Sequence, residues 1–327
     1  MDRRAFTLTA AALSLGLAAS ASASAQTGEI SFGIISTESS QNLKQAWQPL
    51  LEDMSRRTGL KINAFFAPDY AGIIEGMRFN KVHLAWMGNK SAMEAVDRSG
   101  AEVFAQTISV DGSMGYYSLL VTHKDSPLNS LEDVLRQRQG LTLGFGDPNS
   151  TSGTLVPGYY AFQQHKVDPL KDFKRVVRAN HETNLLAAAS RQVDVATNNN
   201  EAIERLKLTN PAKAKDIKVI WKSPLIPSDP LVWRADLDPA VKARLREFLL
   251  GYGKQDEREQ AILKVIGFAG FKASSNAQLL PIRQLELARE RNRVENDSSL
   301  SAEDKQKKLQ EIDARLAELQ KLVASAR

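Results

Sequence analysis

The 327-residue chain contains no cysteine. That excludes a disulfide framework, a thiolate metal site, a cysteine nucleophile and a lipid-anchored cysteine, while leaving the redox compartment open. Its histidines, His83, His123, His165 and His181, show no helical metal-ligand spacing and no His-Glu-x-x-His run, so neither a metal nor any other cofactor is expected. Basic residues are scattered among acidic ones, and the formal net charge is only +5. Without a basic stripe interleaved with aromatics, nucleic acid is not an expected partner. No internal repeat is found.

Long apolar runs are also missing. The stretch Leu8 to Ala19 is too short and too alanine-rich for a stable membrane anchor. Arg3-Arg4-Ala5-Phe6 precedes it and Ala23-Ser24-Ala25 follows, so residues 1–25 read as an export signal cut after Ala25. Arg-Arg-x-Phe is similar to a twin-arginine signal, although Asp2 and Thr7 depart from the usual flanks. The mature chain is expected to be soluble outside the cytoplasm, with enough length for two lobes.

Strand and helix patterns then alternate. Strands are predicted at 29–36, 61–66 and 82–86, with helices at 43–58, 71–79 and 89–98. That spacing predicts a parallel α/β sheet, whose ligands collect beyond the strand C-termini, here at 36–42, 68–70 and 87–91. A second α/β unit follows, with strands at 115–122, 141–145, 173–177, 193–197 and 217–221. The proline-stiffened segment 223–230 crosses back to a strand at 231–233. From Arg283 the composition changes to Glu, Arg, Lys, Gln and Leu, and Leu309, Ile312, Leu316, Leu319 and Val323 draw a heptad seam. That seam serves either a dimer or packing within the subunit.

The stretch with the most chemical content is Gly146-Asp-Pro-Asn-Ser-Thr-Ser-Gly-Thr154. A strand, a tight turn, three consecutive hydroxyl residues and a helix start make a candidate oxyanion cradle, with Ser150, Thr151 and Ser152 adding donors to the helix N-terminus. The same hydroxyls also suit simple helix capping. The loop lacks the Gly-Lys-Ser/Thr ending of an NTP-binding loop. His181 sits at a similar strand-to-helix mouth and reads as a ligand contact or a capping residue. A hydrolase would take Ser150 or Ser152 as nucleophile and His181 as base, but the Gly-x-Ser-x-Gly elbow is absent. Glu201 and Asp229 lie on loops after strands and could together hold an ammonium. Tyr70, Tyr116, Tyr117 and Trp86 near strand ends supply aromatic walls or core packing.

Longer motifs carry a resemblance. Phe32-Gly-Ile-Ile-Ser-Thr-Glu-Ser39, Ala64-Phe-Phe-Ala-Pro-Asp-Tyr-Ala-Gly-Ile-Ile74, Gly76-Met-Arg-Phe-Asn-Lys81 and Gly146-Asp-Pro-Asn-Ser-Thr-Ser-Gly153 resemble the phosphonate-binding periplasmic proteins of ABC importers. His181-Glu-Thr-Asn184, Val193-Asp-Val-Ala-Thr-Asn-Asn199 and Trp221-Lys-Ser-Pro-Leu-Ile-Pro227 extend the match over nearly all the mature chain. The resemblance implies an α/β, two-lobed type II periplasmic-binding fold with a C-terminal helical tail, and no chemistry on the ligand. One lobe would comprise 26–115 with 228–282, the other 116–227, and the tail 283–327 would be a dimerisation element. Segments near Gly115 and Pro224–Asp229 would be hinges. Ser150, Thr151, Ser152 and His181 would hold the phosphonate, and Tyr70, Tyr116, Glu201 and Asp229 the amino end of a ligand such as 2-aminoethylphosphonate. The implied partner is a membrane permease. Phosphite or an alkylphosphonate is the alternative ligand.

Overall fold

The computed structural model describes residues 28–325; the expected export signal lies outside them. In chain order the strands are β1 (Glu29–Ile34), β2 (Lys61–Phe66), β3 (Leu84–Trp86), β4 (Ala101–Ser109), β5 (Gly115–Tyr116), β6 (Ser118–His123), β7 (Thr142–Phe145), β8 (Arg175–Arg178), β9 (Val195–Asn199), β10 (Ile217–Lys222), β11 (Ile226–Pro227), β12 (Pro230–Arg234) and β13 (Phe268–Ala273). They form a six-stranded sheet β13-β4-β12-β3-β1-β2, a five-stranded sheet β10-β6-β9-β7-β8, and the short ribbon β11-β5. Two lobes result, each built on one of the larger sheets.

The parallel sheet expected from the alternation is realised only in part. β1 pairs in parallel with β2 and β3, but β12 lies antiparallel between β3 and β4, and β13 is antiparallel to β4. In the second sheet β7 is parallel to β8 and β9, whereas β6 is antiparallel to β9 and β10. The cause is the path of the chain. It leaves the first sheet after β4 and returns at β12, whose direction opposes that of its neighbours. β4 and β13 are additional to the strands that the pattern predicts. The predicted strand at 115–122 divides at Tyr117, because β5 belongs to the ribbon and β6 to the second sheet.

Helices follow β1, β2 and β3, and their apolar stripes cover the first sheet. Ser40–Thr58 buries Leu43, Trp47, Leu50, Leu51 and Met54, one face of a 3.6-residue repeat, and ends at Gly59 in the left-handed region with φ 67°. Tyr70–Arg78 is capped by Asp69, which accepts from Gly72 N–H, and Asn89–Arg98 opens at Gly88. The tail is a pair of helices, Leu280–Glu295 and Ala302–Ser325. Leu287, Val294 and Ile312 are buried between them, with Leu309, Leu316 and Leu319 packed alongside. Much of the heptad seam therefore faces its own subunit. The composition change at Arg283 falls inside the first of these helices, whose Ile282 and Leu285 belong to the core of the first lobe.

The ribbon β5–β11 carries the chain between the lobes, pairing Tyr116 with Ile226 and Gly115 with Pro227. A Cβ at Gly115 would lie 2.5 Å from the Ile226 carbonyl oxygen and 2.9 Å from the Leu225 side chain. Gly115→Ala should therefore lower stability by about 1–3 kcal/mol, as overpacking does. Chemical denaturation checks this, and an unchanged midpoint would show that the ribbon yields without cost.

Candidate functional site

The loops beyond β1, β2 and β3 face the first turns of helices in the second lobe, and a cavity of about 70 Å3 lies between them. A buried water needs roughly 10–15 Å3 by the same measure, so the enclosed space suits a ligand of few atoms. Ser150, Thr151, Ser152, His181, Tyr70, Tyr116, Glu201 and Asp229 all line it. Thus the eight residues marked in the sequence, separated by up to 159 positions (229 − 70), meet around one space.

At one end stands the hydroxyl turn. Gly146 and Gly153 pass in backbone contact: Gly146 N–H donates to Gly153 O at 3.0 Å, and a Cβ on Gly146 would meet Gly153 backbone atoms at 2.6–2.7 Å. Ser150 caps the following helix by accepting from Gly153 N–H. That helix has wide turns over Thr151–Leu155 and Gly158–Phe162 in place of the regular helix expected, with Leu155 N–H donating to Ser150 O at 3.1 Å. Its carbonyls are tied from behind by Ser118 Oγ to Ser152 O and Thr197 Oγ1 to Gly153 O, each 2.7 Å. The turn is thereby fixed before any ligand arrives.

His181 is the first residue of the helix His181–Ala189, capped by Asn180. Its Nε2 lies 3.3 Å from Ser150 Oγ and 3.4 Å from Asn199 Nδ2. Burial pulls its pKa down to about 4, so the ring is neutral. Nδ1 is buried without a hydrogen-bond partner among the described residues.

At the other end stand Glu201 and Asp229; Asp229 is buried, and Glu201 is half-buried by its accessible surface though closely surrounded by protein. Burial raises Glu201 to about 7, opposed by a 3.1 Å hydrogen bond from Ser109 Oγ. Asp229 is raised well above the usual carboxylate range, first by burial and then by Glu201. Its Oδ1 lacks a partner among the described residues. Arg205 is the only Lys or Arg lining the cavity among the described residues, and its guanidinium is bound to Glu38 and the Val265 carbonyl. The carboxylate pair therefore faces the cavity without a cation of its own.

Tyr116 is fully buried and interacts with Asp229; burial, Asp229 and Glu201 raise its pKa well above normal, so the phenol stays neutral. Tyr70 stands between the two ends, since its hydroxyl interacts with Ser150 while Asp147 and Asp229 add to burial in raising its pKa. Trp86 lines the same space and packs on Trp47 at 5.2 Å between ring centroids. Tyr117 lies away from the cavity lining, under the Lys222 ammonium. Asn199, not singled out in the sequence, caps the helix Asn200–Thr209 and turns its amide to Ser152 Oγ at 3.1 Å. The only signal for it is the Asn198-Asn199-Asn200 run after a strand. Gly88 completes the floor, because a Cβ there would lie 3.2 Å from Thr151 Oγ1 and 3.9 Å from Asp229 Oδ1.

Comparison with known proteins shows the family. A family model described as the periplasmic substrate-binding protein of ABC phosphonate transporters matches residues 32–279. The chain is 57% identical over 297 residues to the phosphonates-binding periplasmic protein of Escherichia coli (strain K12), covering 91% of this chain and 87% of that one. The crystal structure of a binding protein component of an ABC phosphonate transporter from Pseudomonas aeruginosa matches with TM-score 0.89 and 56% identity, over 92% of this chain and 99% of that one. A Prochlorococcus marinus protein solved in complex with methylphosphonate shares the fold, at TM-score 0.73 and 21% identity over 81% and 99% of the two chains. With its two lobes and enclosed cavity, the chain belongs to the family of periplasmic substrate-binding proteins of ABC phosphonate transporters.

Proposed function

We propose that the cavity takes an aminoalkylphosphonate, with 2-aminoethylphosphonate as the preferred ligand, for delivery to a membrane permease. The observation that carries this reading is that Glu201 and Asp229 line the cavity together and that, among the described residues, its one Lys or Arg, Arg205, is already bound to Glu38. An ammonium group would satisfy both carboxylates, whereas inorganic phosphate or phosphite would leave them unpaired. At the opposite end Ser150, Thr151, Ser152 and the helix N-terminus offer hydroxyl and N–H donors to a phosphonate. His181 adds a neutral ring whose Nε2 stands beside Ser150 Oγ and whose low proton affinity an adjacent anion would raise. Tyr70 and Tyr116 frame the chain between the charged ends. Phosphoester hydrolysis by Ser150 and His181 is not favoured, because the family to which the chain belongs consists of substrate-binding proteins of transporters.

In this reading residues 1–25 are removed on export to the periplasm. Residues 26–115 with 228–282 form one lobe, and 116–227 the other. The tail, 283–327, supports a homodimer through the outer face of its helical pair, since the inner face is already filled. Removing residues 297–327, which spares Ile282 and Leu285, is expected to halve the mass measured by light scattering and leave binding intact. An unchanged mass would remove the tail from the assembly.

Glu201→Ala or Asp229→Ala should weaken 2-aminoethylphosphonate by about 10–100-fold, the value of a charged hydrogen bond, and methylphosphonate far less. Parallel calorimetric titrations decide it; equal losses for the two ligands would refute the ammonium assignment.

A pH dependence follows from the same pair. Glu201 is protonated below about pH 7 in the empty site, and an ammonium beside it lowers that pKa, so binding expels a proton. Affinity should therefore rise as pH is raised from 5 toward 7. The slope approaches tenfold per pH unit for one expelled proton. Methylphosphonate shares any phosphonate titration, so the difference between the two slopes isolates the carboxylate. No difference would separate Glu201 from the amino group.

A further inference from the structure

Lobe closure in this protein has a pattern of its own. The three helices that follow β1, β2 and β3 begin at the cleft, where their first N–H groups lack intrahelical acceptors and their dipoles are positive. Each receives an acceptor from the opposite lobe. Ser39 N–H and Asn42 Nδ2 donate to the two carboxylate oxygens of Glu182, at 3.0 and 2.7 Å. Tyr70 N–H donates to Asp147 Oδ2 at 3.2 Å. Lys90 N–H donates to Thr151 Oγ1 at 2.8 Å.

The third contact is the most telling. The helix Asn89–Arg98 opens at Gly88, which has no side chain to cap it. Thr151 provides the missing cap from across the cleft, and its hydroxyl proton remains available to another acceptor. One rim is further tied by Arg205, which holds Glu38 and the Val265 carbonyl, and by Glu182 N–H donating to Thr37 O at 3.2 Å.

We propose that these trans-lobe caps hold the closed state, with Asp147 and Glu182 as positioning residues that set ligand residence without selecting the ligand. Asp147 does not line the cavity, and Glu182 edges it with both oxygens already engaged by Ser39 and Asn42. Thr151 links the caps to capture, a link that rests on its proposed role toward the phosphonate. The Asp147 and Glu182 contacts do not depend on that role.

The test uses the full mature protein with Asp147→Asn and Glu182→Gln, singly and together. Asp147→Asn keeps the oxygen that accepts from Asn149 N–H in the turn and sets an amide N–H against Tyr70 N–H. Stopped-flow binding is measured with 2-aminoethylphosphonate and with methylphosphonate. A cap is worth about 1 kcal/mol, so each single change should speed dissociation about fivefold, and the pair about 25-fold, by the same factor for both ligands and with association little changed. Unchanged dissociation would overturn the proposal. A loss confined to one ligand would also overturn it and make the carboxylates ligand contacts. Failure of the aminophosphonate reading shows instead in the unmutated protein, as weak binding of the amino compound; the ratio of variant to unmutated rates is then still read with methylphosphonate.

Discussion

Two carboxylates that share the cleft wall without a free Lys or Arg among the described lining residues set the terms for the rest of the molecule. Burial raises the proton affinity of both, Asp111 adds to it at Glu201 and Glu201 adds to it at Asp229, and Tyr116 stays neutral beside them. Burying such a pair is costly unless it is protonated or paired. Ser109 and Tyr116 relieve part of that cost, and the surrounding sheet keeps the groups in place. The ammonium of the proposed ligand would fill what this pair leaves unsatisfied.

The hydroxyl turn at the opposite end follows a different logic. It offers neutral donors, backbone and hydroxyl, on a turn braced by Ser118 and Thr197. Neutral, fixed donors impose little self-repulsion when the site is empty, whereas a cluster of lysines would. The neutral state of His181 fits the same economy of charge. The family shown by the comparisons handles phosphonates in transport, and a braced turn of this kind needs little rearrangement to receive one.

Much of this was legible in the sequence where the information is local. The Gly59 stop, the glycine-flanked hydroxyl turn and the first three strands follow from periodicity and turn chemistry over a few residues. Sheet direction was not legible, because the return of β12 between β3 and β4 depends on where a distant segment re-enters. Asn199 escaped notice for a related reason: its capping role is local, but its approach to Ser152 and His181 joins residues 47 and 18 positions away. Asp147 and Glu182 are polar residues in polar surroundings, and only their partners across the cleft, 77 and 143 positions distant, distinguish them. The heptad seam had two readings in one dimension, and the packing of Ile312 against the preceding helix selects an intrachain contact for its inner face.

The enclosure of the cavity has a kinetic corollary. A ligand held between residues of both lobes would leave more readily once the rims part, and lobe motions of that kind belong to the microsecond-to-millisecond range. Escape then requires two events in series, separation of the lobes and desorption from the turn. Any membrane partner that pries the rims apart removes the first of these barriers, so unloading can be fast at the transporter while spontaneous leakage into the periplasm stays slow.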